Sequence, residues 1–278
     1  MSFKVLIGVE THVELLTKSK IFCSCSTTFK ASPNTHCCPV CMGLPGSMPN
    51  LNSEVLNLAI KTGKLTNCEI SKTVSFDRKH YFYPDLPKGY QITQHKNPIC
   101  KNGYVELIDG KKIKINNIHM EEDAGKLIYK DDEILIDYNR SGIPLLEIVS
   151  EPDISSSDEA VEFLKKLCDL LKESKISDCK MHEGSLRCDV NVSLFDEENN
   201  VKFNKVEIKN VNSFRYIKKA IDYEIERQMQ VLNDGGKIVS ETRSYNEKLK
   251  ITEPMRTKEL SSDYRYINEP DLPIIVIK

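Results

Sequence analysis

Two groups of residues in this chain have types and spacings that point to chemistry. The first is sulfur: Cys23-Ser-Cys25 and, after twelve residues, Cys38-Pro-Val-Cys41. Thiolates in close pairs let the backbone turn so that both sulfurs reach one ion at about 2.3 Å, and two such pairs fill the tetrahedral shell of a zinc ion. Cys23, Cys25, Cys38 and Cys41 are therefore candidate zinc ligands, with Cys37 able to take the place of its neighbour Cys38. A filled Cys₄ shell has no open position, so its role is structural. The competing reading is a set of reduced thiols, which is how Cys68, Cys100, Cys168, Cys179 and Cys188 read, since they have no such spacing.

The second group is carboxylates on strand faces. Period-two alternation places Glu10, His12 and Glu14 on one face and Val9, Val13 and Leu15 on the other. It likewise sets Arg187, Asp189 and Asn191 against Cys188, Val190 and Val192, and Lys205, Glu207 and Lys209 against Val206 and Ile208. Glu147 sits inside the apolar run Leu145 to Val149, where an ionised carboxylate needs a cation beside it. His119-Met-Glu121-Glu122-Asp123-Ala-Gly125 adds three consecutive acids before a glycine, read as a metal-binding corner rather than the interior of an element. Any one of these acids is ordinarily a solvated face. Several strands presenting acids together, with one imidazole, suit Mg²⁺ or Mn²⁺. No phosphate-cradling glycine loop precedes Gly63-Lys64, Gly125-Lys126 or Gly236-Lys237, so any work on ATP falls to metals held by carboxylates.

The elements that position these groups alternate irregularly. Strand patterning marks Val5–Leu15, Lys112–Met120, Glu133–Tyr138, Pro144–Val149, Leu186–Phe195 and Lys205–Lys209. Helical spacing starts at Ser53 and ends near Gly63, follows the capping pair Ser156 and Glu159, and runs from about Ser213 to Asn233 with Gly235 as its stop. On the third helix Phe214, Ile217 and Ile221 with Tyr216, Ala220 and Tyr223 form the expected inner side. This order predicts an α+β fold with a largely antiparallel sheet rather than a βαβ series. It reads as one domain over residues 1–278, with a Cys-rich zinc-binding loop inserted at 22–42.

Charge and composition narrow the classes further. The 39 basic and 41 acidic side chains give a net charge of −2 over 278 residues, so no overall basic field recruits nucleic acid. No apolar run approaches the roughly 20 residues of a membrane span. The amino-terminal stretch lacks a secretory pattern, so the expectation is a cytoplasmic protein with reduced cysteines.

In order along the chain, several segments resemble the B component of the bacterial-type aspartyl/glutamyl-tRNA(Asn/Gln) amidotransferases. They are Ile7 to His12, the Cys-Pro-Val-Cys-Met-Gly-Leu-Pro-Gly run ending at Gly46, Phe76 to Gln91, Met120 to Lys126, Pro144 to Asp153, Glu183 to Asn191, and Asp263-Tyr-Arg-Tyr266. The resemblance implies a catalytic cradle like that of glutamine synthetase. It implies ATP- and Mg²⁺-dependent phosphorylation of the side-chain carboxylate on Glu-tRNA(Gln) or Asp-tRNA(Asn), then amidation by ammonia from the amidase component, with a small third protein making up a heterotrimer. It assigns Glu10, His12, Glu122, Glu147, Asp189 and Glu207 to Mg²⁺ and nucleotide phosphates, and Lys79 and Arg187 to the transferred phosphoryl group. The Tyr81 to Gln91 loop lines the acceptor pocket or the ammonia path, or is an ordered, packed loop. The sequence departs from the family pattern at Asn116-Asn117-Ile118, where an Arg is usual, at Tyr129 in place of a His, and at Tyr266-Ile-Asn-Glu-Pro-Asp271. The helical and tail domains that follow the cradle in that family are expected to be absent from a chain stopping at Lys278. No inserted domain of the kind that marks the archaeal counterpart is found. The rival class is a non-catalytic docking scaffold or a zinc-stabilised nucleic-acid-binding module.

Overall fold

The computed structural model describes residues 3–257 and 264–277; the start of the Asp263-Tyr-Arg-Tyr266 motif lies outside them. In chain order the elements are β1 (Phe3–Glu14), α1 (Ser53–Leu65), β2 (Glu69–Ile70), β3 (Thr73–Val74), β4 (Asp77–His80), β5 (Tyr90–Thr93), β6 (Cys100–Glu106), β7 (Lys112–Glu122), β8 (Lys126–Lys130), β9 (Glu133–Asp137) and β10 (Pro144–Ser150). Then come α2 (Ser157–Glu173), β11 (Leu186–Asp196), β12 (Val201–Lys202), β13 (Val206–Lys209), α3 (Phe214–Asn233), β14 (Glu241–Asn246), β15 (Ile251–Thr257), β16 (Ile267–Asn268) and β17 (Ile275–Val276). The main sheet has the order β15-β14-β13-β11-β1-β10-β7-β6-β2, with β12 beside β11. Every pairing in it is antiparallel except β13 with β14. The fold is thus mixed α+β with three helices and a largely antiparallel sheet.

The helices begin where the sequence supplies caps. Asn52, Ser156 and Ser213 are N-caps whose side chains accept from the backbone N–H of Glu54, Glu159 and Tyr216. The first helix does not stop at Gly63 but continues to Leu65. A Cβ at Gly63 would stand 2.4 Å from Cys100 Sγ and 2.5 Å from Ile70 Cδ1, so this glycine permits a close approach of helix and sheet instead of ending the helix. The third helix buries Ile217, Ala220 and Ile221 as expected, but its inner side continues through Glu224 and Gln228 rather than Tyr223. Glu224 is fully buried because Arg227 lies 2.7 Å away and the Thr252 hydroxyl donates to it at 2.8 Å.

The core lies between one face of the sheet and these helices. Ile7, Val9 and Val13 of β1, Leu146 and Ile148 of β10, and Val190 and Val192 of β11 join Phe163, Leu164 and Leu167 of α2 in a single apolar cluster. Burying each such side chain contributes about 1.5–3 kcal/mol. That face fixes the register, since a one-residue slip would turn every acid inward. A three-stranded sheet of β16, β4 and β5 and the pairing of β17 with β3 bring residues 264–277 against the first third of the chain. The expected strand at Glu133–Tyr138 forms as β9, but it pairs only with β8, in a hairpin apart from the main sheet. Among the described residues, no helix is long and apolar enough to cross a membrane.

Candidate active site

Register decides which acids meet. Opposite His12 stand Glu147 on β10 and Arg187 on β11, while Glu147 faces His119 on β7. Glu10 faces Asp189, and Asn191 faces Glu207 on β13. The alternation that buries Val9, Thr11 and Val13 sends Glu10, His12 and Glu14 to the side of the sheet away from the apolar cluster. Residues separated by up to 197 positions in sequence thereby share one polar face.

Two groups of ligand atoms form there, each gathered within 4.8 Å: His12 with Glu121 and Glu147, and Glu10 with Asp189 and Glu207. In the first, His12 Nε2 lies 3.4 Å from Glu147 Oε2 and 3.6 Å from Glu121 Oε1. His119 Nε2 lies 3.1 Å from Glu147 Oε2, and its Nδ1 is 2.9 Å from Asn117 Oδ1. Burial disfavours the His12 imidazolium, yet the hydrogen bond to Glu147 and the charges of Glu121 and Glu147 outweigh it and push the pKa up to about 9. Burial also works against the Glu147 carboxylate, but hydrogen bonds from His119 and His12 hold it well below the usual carboxylate range. Glu121 moves the other way, raised by burial and by its neighbour Glu147. In the second group Asn191 Nδ2 donates to Glu10 Oε1 at 2.9 Å, and the Thr242 hydroxyl donates to Glu207 at 2.9 Å. Lys209 bonds Asp189 and lies 3.2 Å from Glu207, so the group already contains one positive charge. Glu10 and His12 are two residues apart on β1, which sets the two groups about 7 Å apart along the strand.

The structure does not bring Glu122 to this face. β7 continues through Glu122, so the three acids are not a corner: Glu121 follows His119 onto the polar face and Glu122 turns to the other. There it is 2% exposed, paired with Lys88 at 2.6 Å and accepting the Ile92 N–H at 2.9 Å. Glu121, not Glu122, stands with His12 and Glu147, and His119 lies beside them against Glu147. Carrying the period-two pattern of Lys112–Met120 two residues further was the available signal. Lys209 was equally visible as the partner of Glu207 on the same strand face.

Two cavities flank the first group. The larger, about 520 Å³, is lined by Lys79, Lys96, Lys101, Asn117, Glu121 and Glu147 among others, with the stacked rings of His95 and Tyr266 (centroids 3.9 Å apart) at its wall. Asn116 and Asn117, where the sequence departs from the family pattern, line it, whereas Tyr129 is 70% exposed on the separate hairpin. The smaller, about 260 Å³, is bounded by His12, Lys79, Tyr81, Glu121, Arg187 and Asp189. Lys79 and Glu121 belong to both walls. Burial opposes the Lys79 ammonium, but Glu121 and Glu147 keep it charged. Arg187 is held by Asp123 at 3.0 Å, and Asp123 also receives Arg140 at 3.4 Å. Of the Tyr81 to Gln91 loop, Tyr81 and Gln91 line the smaller cavity, while Phe82 is 90% exposed.

The thiols converge as well. The sulfurs of Cys23, Cys25, Cys38 and Cys41 lie within 4.8 Å of one another. Cys38 and Cys41 are 3.9 Å apart, close to the edge of about 3.8 Å that bonds of about 2.3 Å give a tetrahedron. Cys37 turns away toward Asn139 Oδ1 at 3.9 Å. A hydrogen bond from Cys23, against the opposing effect of burial and helped by the Cys38 N–H, draws the Cys41 thiol down to about 4.

Fold and site together define a class: a mixed α+β domain with carboxylate and imidazole groups that could hold hard ions gathered on one sheet face, and a cluster of four thiols. Residues 5–278 match the GatB/GatE catalytic domain, and the chain belongs to that family. It is 57% identical over 281 residues to the B component of the aspartyl/glutamyl-tRNA(Asn/Gln) amidotransferase of Thermoanaerobacter pseudethanolicus, a match covering 99% of this chain and 59% of that protein. Identity to the same component from Clostridium kluyveri is 54% over 281 residues, and to that from Carboxydothermus hydrogenoformans 52% over 283, again over 59% of each. The chain therefore spans less than two thirds of the length of these relatives.

Proposed function

We propose that this chain is the phosphorylating cradle of a tRNA-dependent amidotransferase, one related in build to glutamine synthetase and working in the cytoplasm. The observation that carries the reading is the meeting of two hard-ligand groups on one sheet face, with two cavities that share Lys79 and Glu121 as common wall. His12, Glu121 and Glu147 would hold one Mg²⁺, and Glu10, Asp189 and Glu207 another; bound there, the ions neutralise phosphate charge. The larger cavity, lined with lysines, suits the ATP polyphosphate. Opposite it, the smaller cavity suits the side-chain carboxylate of Glu-tRNA(Gln) or Asp-tRNA(Asn), with Arg187 at its wall.

The chemistry asked of these residues is positioning and charge compensation. An acceptor carboxylate oxygen attacks the γ-phosphorus of ATP, the bond from that phosphorus to the β–γ bridging oxygen breaks, and ADP leaves. Lys79, in both walls, faces the phosphoryl group between donor and acceptor. Ammonia then attacks the acyl carbon, phosphate departs, and the amide remains. Partners in this reading are the amidase that supplies the ammonia, the small third protein of the heterotrimer and the misacylated tRNA. Cys23, Cys25, Cys38 and Cys41 fit a zinc ion by donor type and by spacing, and it would tie the loop 22–42 together.

The test is tRNA-dependent ATP hydrolysis in the assembled complex. Asp189→Ala and Glu10→Ala should each lower it at least about 100-fold, the effect of losing some 3 kcal/mol of transition-state stabilisation, while the amidase still hydrolyses glutamine. Unchanged ATP turnover in both discards the reading. A docking scaffold would show no Mg²⁺-dependent binding of an ATP analogue by calorimetry.

A further inference from the structure

Lys20 is among the largest fully buried side chains of the protein, with 0% exposure, and among the described residues no carboxylate lies within 4.0 Å of its ammonium. Its three donors are nevertheless all used. Nζ donates to His36 O at 2.7 Å, to Tyr138 O at 3.3 Å and to Cys41 Sγ at 3.6 Å. A buried ammonium requires a compensating negative charge, and the four-sulfur cluster is the group that stands against it. A divalent ion with four thiolates carries a net charge of −2, which a single ammonium halves. The two carbonyls come from the loop that carries Cys38 and Cys41 and from the turn after β9. That turn is further pinned to the loop by His36 N–H to Asn139 Oδ1 at 2.7 Å and by Ser141 Oγ to Cys41 O at 3.2 Å.

We propose that Lys20 is the built-in countercharge of the four-thiolate centre, raising its affinity for zinc and joining it to the segment 138–142. The inference rests on the zinc reading given above. A sulfur that accepts a hydrogen bond from a cation is a poorer electron donor, so Lys20 also sets how strongly Cys41 gives density to the metal. Groups that hold a ligand from outside the coordination shell typically account for 10–100-fold in metal affinity.

The test is competition of the purified protein with a chromophoric chelator for Zn²⁺. Wild type binding one zinc, with Lys20→Gln and Lys20→Met each binding it about 10–100-fold more weakly, is the expected result; Gln keeps a donor but loses the charge. Both variants within twofold of wild type, or Gln alone restoring wild-type affinity, overturn the countercharge role. Wild type without zinc overturns the metal reading itself, and so separates the two failures. Cobalt(II) substitution gives a readout that a merely structural role would not move. With the cation gone the thiolate lone pairs rise in energy and the sulfur-to-cobalt charge-transfer band shifts to longer wavelength; an unshifted band overturns the proposal. Should neither variant fold, amine acylation of the unaltered protein decides: Lys20 is protected with zinc bound and is modified once chelator removes it, whereas protection that persists after zinc removal overturns the inference.

Discussion

The adjacent acids Glu121 and Glu122 give the sharpest test of how the sheet divides its labour, because strand alternation predicts that neutralising each has opposite consequences. Glu122→Gln leaves Lys88, whose side chain is 8% exposed, without its carboxylate at 2.6 Å, while the Gln oxygen still accepts the Ile92 N–H. Breaking one side of such a buried pair costs about 3–5 kcal/mol. At roughly 2 °C per kcal/mol for a chain of this size, the melting temperature should fall by about 6–10 °C. Glu121→Gln instead removes one of two anions that oppose each other. Because burial and Glu147 already raise the Glu121 pKa, the metal-free protein should keep or gain stability. Thermal unfolding in chelator and calorimetric titration with Mn²⁺ report the two effects separately: Glu122→Gln should melt early and still bind the ion, and Glu121→Gln should melt normally and bind poorly. Metal binding lost in Glu122→Gln and retained in Glu121→Gln, at intact folding, would refute the placement of both.

Metal binding at the first group should also depend on pH. Without metal, His12 titrates at about 9 against 6.5 for an unperturbed imidazole, so its charge stabilises the fold below pH 6.5 and that contribution disappears as pH rises through 9. Metal requires the neutral ring, so affinity should instead climb toward tenfold per pH unit across 6.5–9, with release of close to one proton in calorimetry across buffers of different ionisation enthalpy; pH-independent affinity with no proton release would contradict the assignment. For the thiols, Cys37→Ser should retain one zinc by metal analysis, whereas Cys38→Ser and Cys41→Ser should lose it together with a share of a binding free energy of order 10 kcal/mol, seen as early unfolding.

Much of this architecture was legible where local rules and tertiary packing agree. Ser156 and Ser213 cap helices as their positions promised, and β1, β10 and β11 alternate because one face is buried and the other is not. The meeting of four thiols agrees with their spacing in the chain, while the turn that sends Cys38 toward the cluster and Cys37 toward Asn139 depends on the backbone conformation of the loop. Glu10, His12, Glu147, Asp189 and Glu207 could be named singly, but their grouping into two triads depends on cross-strand register, which no local pattern encodes. β14 carries no strand pattern because Glu-Thr-Arg-Ser-Tyr-Asn has few apolar residues, yet Thr242 and Arg243 are buried with hydrogen bonds to Glu207 and Thr252. The resemblance points to Glu122 and the run of three acids reads as a corner, yet alternation along β7 sends Glu122 to the opposite face, where Lys88, 34 residues earlier, compensates its burial.

The contact of residues 264–277 with β3 and β4 gives assembly of the site a direction in time. Arg78 is clasped by Glu269 across 191 positions, and Tyr266 stacks on His95 at the wall of the larger cavity. At about 5–20 residues per second on a ribosome, the partner of Arg78 arrives some 10–40 s after Arg78 itself has been made. Even once Glu10, Glu147, Asp189 and Glu207 have all been made, the larger cavity lacks the wall that Tyr266 supplies until residues 264–277 follow.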